Sequence, residues 1–169
     1  MIKVIVLDLD DTLIDTSSLE PFRATGRWRD IPRYYNECAV YQDVVGLVTM
    51  ARSVGIKVAI FSNAPSNYVQ GLLKHFSISV DYVVAYHDVT QHKPSPEGVT
   101  SILEYFGVSA DESIYLGDSN LDRDTAFNAG VEFFSVNWGS ASEIDSSHKG
   151  IIGLSELIGK NSMPNSATT

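Results

Sequence analysis

The stretch Val4–Thr16, VIVLDLDDTLIDT, places four carboxylates directly after a short apolar run. The run VIVL has the composition of a buried β-strand. The carboxylates that follow it are Asp8, Asp10, Asp11 and Asp15. Like charges that lie this close repel each other, so a purely structural segment has little reason to collect them. The cluster therefore indicates a functional site at the end of the first strand.

The composition of the chain restricts its class. The length of 169 residues suits one domain, and 44% hydrophobic residues suffice for a core. A net charge of −9 argues against general binding of nucleic acids or anionic membranes, because both need basic patches. The single cysteine, Cys38, excludes an internal disulfide and a cysteine-based zinc site.

The sequence also carries an expectation about location. No apolar stretch approaches the length of a membrane span, and the first residues lack the pattern of a signal peptide. We therefore expect a cytoplasmic protein that does not associate with membranes. The sequence gives no clear signal for an oligomeric state.

Apolar runs and helical patterns alternate along most of the chain. The runs are short, rich in β-branched or aromatic residues, and do not alternate with polar residues, which is typical of strands buried on both faces. They span residues 4–7, 57–61, 82–86, 113–116 and 132–136. Helical patterns lie between them at 43–55, 65–76 and 95–107. We predict an α/β domain with a Rossmann-like parallel sheet in three layers.

Local signals predict where these helices begin and end. Asp43 is a candidate cap for the first helix, and Gly55 can end it. Ser95 is a candidate cap for the third helix, with Pro96 at its first position. Ser62 and Asn63 can cap the second helix, which is predicted at 65–76.

Two segments depart from the alternation of strands and helices. Residues 15–42 are long for a strand-to-helix connection and predict a small insert after the first strand. The polar end of the chain lacks periodicity and is expected to be disordered. We therefore predict one domain over residues 1–160, with a short insert at about 16–42, and a disordered tail over 161–169.

Polar residues follow the predicted strands at four places. Ligands of open parallel sheets bind beyond the carboxyl ends of the strands. If the first, second and fourth strands are neighbours, their polar residues converge. These residues are Asp8, Ser62, Asn63, Lys93 and Asp118.

The converging residues suit a metal ion beside a phosphate. Asp8, Asp10 and Asp118 offer the hard oxygen ligands that Mg²⁺ prefers. Lys93 would neutralise the remaining charge, and Ser62 and Asn63 offer donors for a tetrahedral anion.

These motifs resemble those of the haloacid dehalogenase (HAD) superfamily, on its phosphatase branch. DLDDTL at 8–13 matches the first motif, D-x-D-x-T, and Ser62 after an apolar strand matches the second. Lys93 followed by Pro94 matches the third, and GDSNLD at 117–122 matches the fourth. The four motifs occur in order across about two thirds of the chain.

The resemblance implies a catalytic centre that forms an aspartyl phosphate. Asp8 would be the nucleophile, and Asp10 the general acid and base. Mg²⁺ would be held by Asp8, Asp118 and the backbone carbonyl of Asp10. Asp122 would lie outside the first ligand sphere and hold a metal-bound water or Lys93.

The resemblance also implies a site for the phosphoryl oxygens. Ser62, the Asn63 N–H and Lys93 would hold these oxygens, and Thr12 would orient the loop. The implied reaction is the hydrolysis of a small phosphorylated substrate. Two alternatives stay open: a phosphotransferase or phosphomutase of the same superfamily, and a catalytically silent fold that serves as a binding partner.

The predicted insert has an unusual composition for an acidic chain. Four arginines surround Trp28, and they are Arg23, Arg27, Arg29 and Arg33. One interpretation is that they pair with neighbouring acids such as Glu20 and Asp30. The other is that one or two of them hold an anionic part of the substrate while Trp28 stacks on it.

Overall fold

The computed structural model describes residues 1–136 and the backbone of residues 149–150. Eight strands occur in this part of the chain: β1 Val4–Leu7, β2 Ile14–Asp15, β3 Ala39–Val40, β4 Lys57–Phe61, β5 Tyr82–Val84, β6 Ser113–Gly117, β7 Glu132–Ser135 and β8 Lys149–Gly150. The α-helices are α1 Glu20–Arg23, α2 Gln42–Ser53, α3 Ser66–His75, α4 Glu97–Phe106 and α5 Asn120–Asn128. Short 3₁₀ helices span Ser17–Leu19, Ile31–Glu37, Tyr86–Asp88 and Ala110–Glu112.

The predicted α/β fold is confirmed. Six strands form one sheet in the order β5-β4-β1-β6-β7-β8, and the strand pairs are all parallel. β1 lies at the centre, with Val4 in register with Lys57 of β4 and Ser113 of β6. The first, second and fourth predicted strands are therefore neighbours, as the convergence of their polar residues requires.

The two faces of the sheet carry separate cores. Ile5 and Leu7 of β1 point to the face covered by α2 and α3, while Val4 and Val6 point to the face covered by α4 and α5. All four side chains are fully buried. Period-two alternation sends successive side chains to opposite faces, so a strand buried on both sides must be apolar throughout.

Several predicted boundaries are shifted. α2 begins at Gln42, so Asp43 lies in its first turn and does not cap it. Pro96 occupies the N-cap position of α4, whose first residue is Glu97, and the Ser95 hydroxyl accepts from the Glu97 N–H at 3.3 Å. Gly55 follows the end of α2 with a φ of +85°, a backbone conformation that favours glycine.

The predicted strand at 82–86 also ends early. β5 stops at Val84 because the chain enters a 3₁₀ helix at Tyr86. The Asp88 carboxylate accepts a hydrogen bond from the Ala85 N–H at 2.8 Å, which stabilises this turn. An apolar run alone does not reveal such a side-chain cap.

The segment between β1 and α2 folds back on itself. β2 and β3 pair antiparallel, with Ile14 opposite Val40, and enclose α1 and two 3₁₀ helices. Leu19, Ile31 and Tyr35 anchor this segment in the core beside α3.

The predicted limits of the insert and of the domain stay predictions, and the tail at 161–169 lies outside the described residues. Within the described part, no helix has the length and apolarity needed to cross a membrane.

Candidate active site

A cleft of about 450 Å³ opens beyond the carboxyl ends of β1, β4 and β6. It is lined by nearly all the side chains to which the sequence assigned catalysis, metal binding or phosphate binding. These are Asp8, Asp10, Ser62, Asn63, Lys93, Asp118 and Asp122. Thr12 is fully buried, and its hydroxyl donates to the Asp118 carboxylate at 3.1 Å. The sheet order thus brings together residues from four distant parts of the sequence.

Lys93 joins two carboxylates at the base of the cleft. Its Nζ lies 2.6 Å from Oδ1 of Asp8 and 2.7 Å from Oδ1 of Asp122. The rings of Phe61 and Tyr115 flank the ammonium, with centroids at 5.2 and 5.5 Å. All the surrounding side chains are buried or nearly so, which strengthens these charge interactions.

Burial and charge set the protonation of this pair. Burial, together with the carboxylates of Asp122, Asp10 and Asp118, raises the pKa of Asp8 well above its usual value, against the opposing effect of Lys93. Burial alone would lower the pKa of Lys93, but the carboxylates of Asp122 and Asp8 raise it well above its usual value. Lys93 therefore stays a cation, but its charge does not fully offset the effect of burial and of the neighbouring acids on the pKa of Asp8.

Asp122 is fully engaged by the protein. Its Oδ1 accepts from Lys93 and from the Tyr115 hydroxyl at 3.0 Å. Its Oδ2 accepts from the Ser119 hydroxyl at 2.5 Å and from the Ser119 N–H at 3.3 Å. A carboxylate whose two oxygens are both bound this way positions Lys93 and is poorly placed to bind a metal directly.

Gly117 allows Asp122 to approach the end of β6. A Cβ on Gly117 would lie 2.5 Å from the Cβ of Asp122, which is closer than two such atoms can come. The glycine of the GDSNLD motif is thus required by the packing of Asp122, and through Asp122 by Lys93.

Three buried acids could hold a metal ion. Asp8, Asp118 and Asp122 each offer a carboxylate oxygen, and these oxygens all lie within 4.8 Å of one another. Because Asp122 is engaged by Lys93, Tyr115 and Ser119, the better donors are Asp8 and Asp118. An all-oxygen donor set of this kind suits a hard divalent cation.

Asp10 is held by three donors on a single oxygen. Its Oδ1 accepts hydrogen bonds from the Thr16 hydroxyl at 2.7 Å and from the hydroxyl of Tyr68, and it forms an ion pair with Nη1 of Arg23 at 2.5 Å. Burial and the Asp10 charge raise the pKa of Tyr68, so its hydroxyl keeps its proton and donates. The sequence prediction did not include Thr16 or Tyr68 in the site.

The residues after β4 hold the loop that carries Lys93. The Asn63 side-chain oxygen accepts from the backbone N–H of Lys93 at 3.0 Å, and the Ser62 hydroxyl accepts from the Ala64 N–H at 3.1 Å. The N-cap of α3 is Pro65, without a side-chain cap, so the prediction that Ser62 or Asn63 caps this helix is wrong.

The arginines of the insert fall into two groups. Arg23 and Trp28 line the cleft, but Arg23 is bound to Asp10 and also to Glu20 at 3.0 Å. Arg27 pairs with Asp30 at 2.8 Å and, like the exposed Arg29, is not part of the cleft lining among the described residues. Arg23 and Arg27 thus pair with neighbouring acids, as one interpretation of the sequence expected, and contact of one or two of the arginines with the substrate stays a prediction.

Two tyrosines of the site were missed from the sequence. Tyr68 lies in the apolar stripe of α3 and is 2% exposed, and Tyr115 lies inside β6 and is fully buried. A buried tyrosine hydroxyl usually needs a partner, which is the signal that could have placed both near the acids. Nothing in the sequence says which acid each one contacts.

The family model of haloacid dehalogenase-like hydrolases matches residues 23–136, which is more than half of the chain. This chain belongs to the haloacid dehalogenase-like hydrolase family. The matched segment includes Ser62, Lys93 and Asp118, and the sheet brings Asp8 of the preceding strand beside them.

Curated relatives agree with this membership, and solved structures agree with the fold. The chain is 29% identical to a phosphoglycolate phosphatase of Rhodospirillum rubrum over 62% of its length, and 28% identical to one of Pseudomonas putida over 59%. It spans only 44% and 38% of the length of these two relatives. The fold is similar to that of CbbY from Rhodobacter sphaeroides in complex with phosphate, with a TM-score of 0.76 and 18% identity over 89% of this chain and 93% of that one.

Proposed function

We propose that this protein is a Mg²⁺-dependent phosphatase that hydrolyses small phosphate monoesters through an aspartyl phosphate on Asp8. The observation that carries the proposal is the buried contact of Lys93 with Asp8 at the base of a cleft lined by acids and hydrogen-bond donors. The relatives named phosphoglycolate phosphatase support phosphate esters as the class of substrate.

The first step is attack of Asp8 on phosphorus. An Asp8 carboxylate oxygen forms the new bond to phosphorus as the bond from phosphorus to the ester oxygen breaks. The departing oxygen takes a proton from Asp10, which lines the same cleft. Lys93 stays charged and interacts with the phosphoryl oxygens as negative charge develops on them.

The second step returns Asp8 to its starting state. Asp10, now ionised, takes a proton from a water molecule, whose oxygen attacks phosphorus as the bond to Asp8 breaks. Inorganic phosphate leaves with the oxygen of that water. Asp10 ends the cycle protonated, as it began, so atoms and charges balance over the two steps.

The donor set fits a divalent cation such as Mg²⁺. Asp8, Asp118 and the Asp10 carbonyl would hold the ion, and Asp122 would keep Lys93 in place beside it. When bound, such a cation offsets the charge of the phosphoryl group and of the acids around it. A bound cation would also lower the pKa of Asp8, which burial and the neighbouring acids raise.

The proposal is tested by phosphate release from p-nitrophenyl phosphate and a panel of phosphorylated metabolites. We expect release with Mg²⁺, loss of release with a chelator, and recovery on adding Mg²⁺ back. Phosphate that appears on an added alcohol and not in solution would indicate a phosphotransferase. A folded wild-type protein that releases no phosphate from any ester would contradict the proposal and favour a silent fold.

A further inference from the structure

We propose that Arg23 and Tyr68 are positioning residues that fix Asp10 by one carboxylate oxygen and thereby place its transferable proton on the other. The proposal rests on the proposed phosphatase function, because it concerns how the acid of that reaction is held. It assigns a role to the insert that does not require contact with the substrate.

All the protein donors to Asp10 reach the same oxygen. Thr16, Arg23 and Tyr68 each contact Oδ1, and within residues 1–136 no hydrogen bond to Oδ2 is found. The described residues contain no buried side-chain oxygen or nitrogen without a partner. Oδ2 is therefore open to the cleft, which Asp10 lines.

This asymmetry decides which oxygen can carry a proton. A proton on Oδ1 would point at two hydroxyl donors and a guanidinium, so at least one of these three contacts would be lost. A proton on Oδ2 leaves all three intact. The acid form of Asp10 therefore carries its proton on the oxygen that faces the cleft.

The donors come from three separate elements. Thr16 follows β2, Arg23 ends α1, and Tyr68 lies in the first turn of α3. Because the donors approach Oδ1 from different parts of the chain, the carboxyl group cannot rotate without breaking one of them. Holding a reacting group in a fixed orientation contributes much of the rate acceleration of many enzymes.

Each positioning residue is itself restrained. The Arg23 side chain is 15% exposed, and it also donates to the Thr16 hydroxyl at 2.8 Å and to Glu20 at 3.0 Å. Tyr68 packs edge-to-face against Trp28, with ring centroids 5.3 Å apart. The insert thus contributes Arg23 directly and supports Tyr68 through Trp28.

The test compares two esters that differ in their need for an acid. An alkyl phosphate needs a proton on its leaving oxygen, and p-nitrophenyl phosphate scarcely does. For Arg23→Met and for Tyr68→Phe we expect kcat/KM on the alkyl ester to fall about 10- to 100-fold, and on the aryl ester by less than about threefold. Arg23→Lys, which keeps one charged donor, should recover part of the loss.

Matched controls come from the same chain. Arg27→Met removes an insert arginine that pairs with Asp30, and Tyr105→Phe removes the hydroxyl of a tyrosine that is 61% exposed. Both should leave both esters unchanged. Equal losses on the two esters, or none, in Arg23→Met and Tyr68→Phe would overturn the proposal, because a merely structural role does not depend on the leaving group.

A double substitution tests whether Arg23 acts through Asp10. In an Asp10→Asn background, adding Arg23→Met should cause no further loss of kcat/KM on the alkyl ester. A further loss by the same factor as in the wild type would contradict action through Asp10.

The outcomes also separate the two proposals, and thermal unfolding checks that each variant folds. Tyr68→Phe, which removes one oxygen, carries the test if Arg23→Met does not fold. If the wild-type protein hydrolyses neither ester, the proposed function is contradicted, and so is the positioning role that rests on it. A wild type that hydrolyses both esters, with equal losses in the variants, removes the positioning role alone.

Discussion

The base of the cleft and the insert above it are built in opposite ways. At the base, Asp8, Lys93 and Asp122 project from the ends of buried strands or lie beside them, and each is at most 8% exposed. In the insert, the elements are two to seven residues long, and many of the charged side chains are exposed. The most deeply buried ion pairs of the site thus lie beside the ends of the sheet strands.

The two regions meet at Asp10. From below, Asp10 follows β1 by the same short loop as Asp8. From above, Arg23 of the insert binds its carboxylate. A short insert can therefore take part in the proposed chemistry by holding one acid at the base of the cleft. Substitutions at the base of the cleft should affect the reaction strongly. Substitutions of the insert residues that do not line the cleft, such as Arg27 and Arg29, should hardly affect it.

The largest effect is expected at the nucleophile. Asp8→Asn is nearly isosteric and should fold, but it removes the attacking oxygen and one metal donor. We expect kcat on p-nitrophenyl phosphate to fall about 10⁴-fold or more. Steady-state phosphate release, with circular dichroism to confirm folding, measures it. Turnover within tenfold of wild type would mean that the base of the cleft is not the reaction centre.

A smaller loss of activity is expected at Gly117, which packs against Asp122, the carboxylate that holds Lys93. Gly117→Ala forces Asp122 to move, since the added Cβ would overlap the Asp122 side chain. Displacing Asp122 displaces Lys93, and we expect kcat to fall about 10²-fold. The matched control is Gly46→Ala in α2, where an added Cβ meets no atom within 4 Å. Equal kcat in the two variants would show that the packing of Asp122 does not position Lys93.

Mg²⁺ should stabilise the protein, and more so at higher pH. The pKa of Asp8 is raised by folding, so the metal-free protein binds more protons than the unfolded chain, and the Asp8 contribution to the free energy of unfolding falls as pH rises above its unfolded pKa. Mg²⁺ binds the ionised carboxylate and reverses this loss. At 100 times its dissociation constant the ion adds about 2.7 kcal/mol.

Thermal unfolding with and without Mg²⁺ at pH 5 and pH 7 measures this linkage. We expect the shift in unfolding temperature to be larger at pH 7, with NaCl at matched ionic strength as the control. A shift that is absent at both pH values would count against a metal site formed by Asp8 and Asp118.

The smallest effects are expected at the outer arginines. Arg27 and Arg29 have exposed side chains and do not line the cleft among the described residues. Single changes to Ala should alter the free energy of unfolding by less than about 0.5 kcal/mol. KM for any hydrolysed substrate should stay within about twofold of wild type, because surface pairs contribute little. A tenfold rise in KM for a substrate with a second anionic group would support the predicted contact of these arginines with the substrate.

The sequence predicted the base of the cleft well because the sheet places it. Val4–Leu7 and Lys57–Phe61 form strands within the predicted limits, since apolar β-branched runs bounded by turns have few alternatives. Polar residues at the ends of adjacent parallel strands must then converge. The sequence motifs, with Lys93 before Pro94 and Asp118 in GDSNLD, then indicated that these two residues belong to the same site.

The insert could not be predicted in the same way. Its elements are too short to show a helical or strand period, and the contacts that matter depend on how the segment folds back. Tyr68 and Asp10 are 58 positions apart, and their contact follows from the packing of α3 beside the insert. Helix starts also differed from the predicted ones: Asp43 lies two residues after Tyr41, the N-cap of α2, and Ser95 lies one residue before Pro96, the N-cap of α4.

The site of phosphorylation in the Asp10→Asn variant shows most directly whether Asp8 is the nucleophile. This variant keeps Asp8, and it lacks the base for the hydrolysis step. With p-nitrophenyl phosphate and Mg²⁺, an acid-quenched sample should carry close to one phosphoryl group per chain, and peptide mass spectrometry should place it on Asp8. Release of p-nitrophenol with the phosphoryl group on another residue, or on none, would contradict the account.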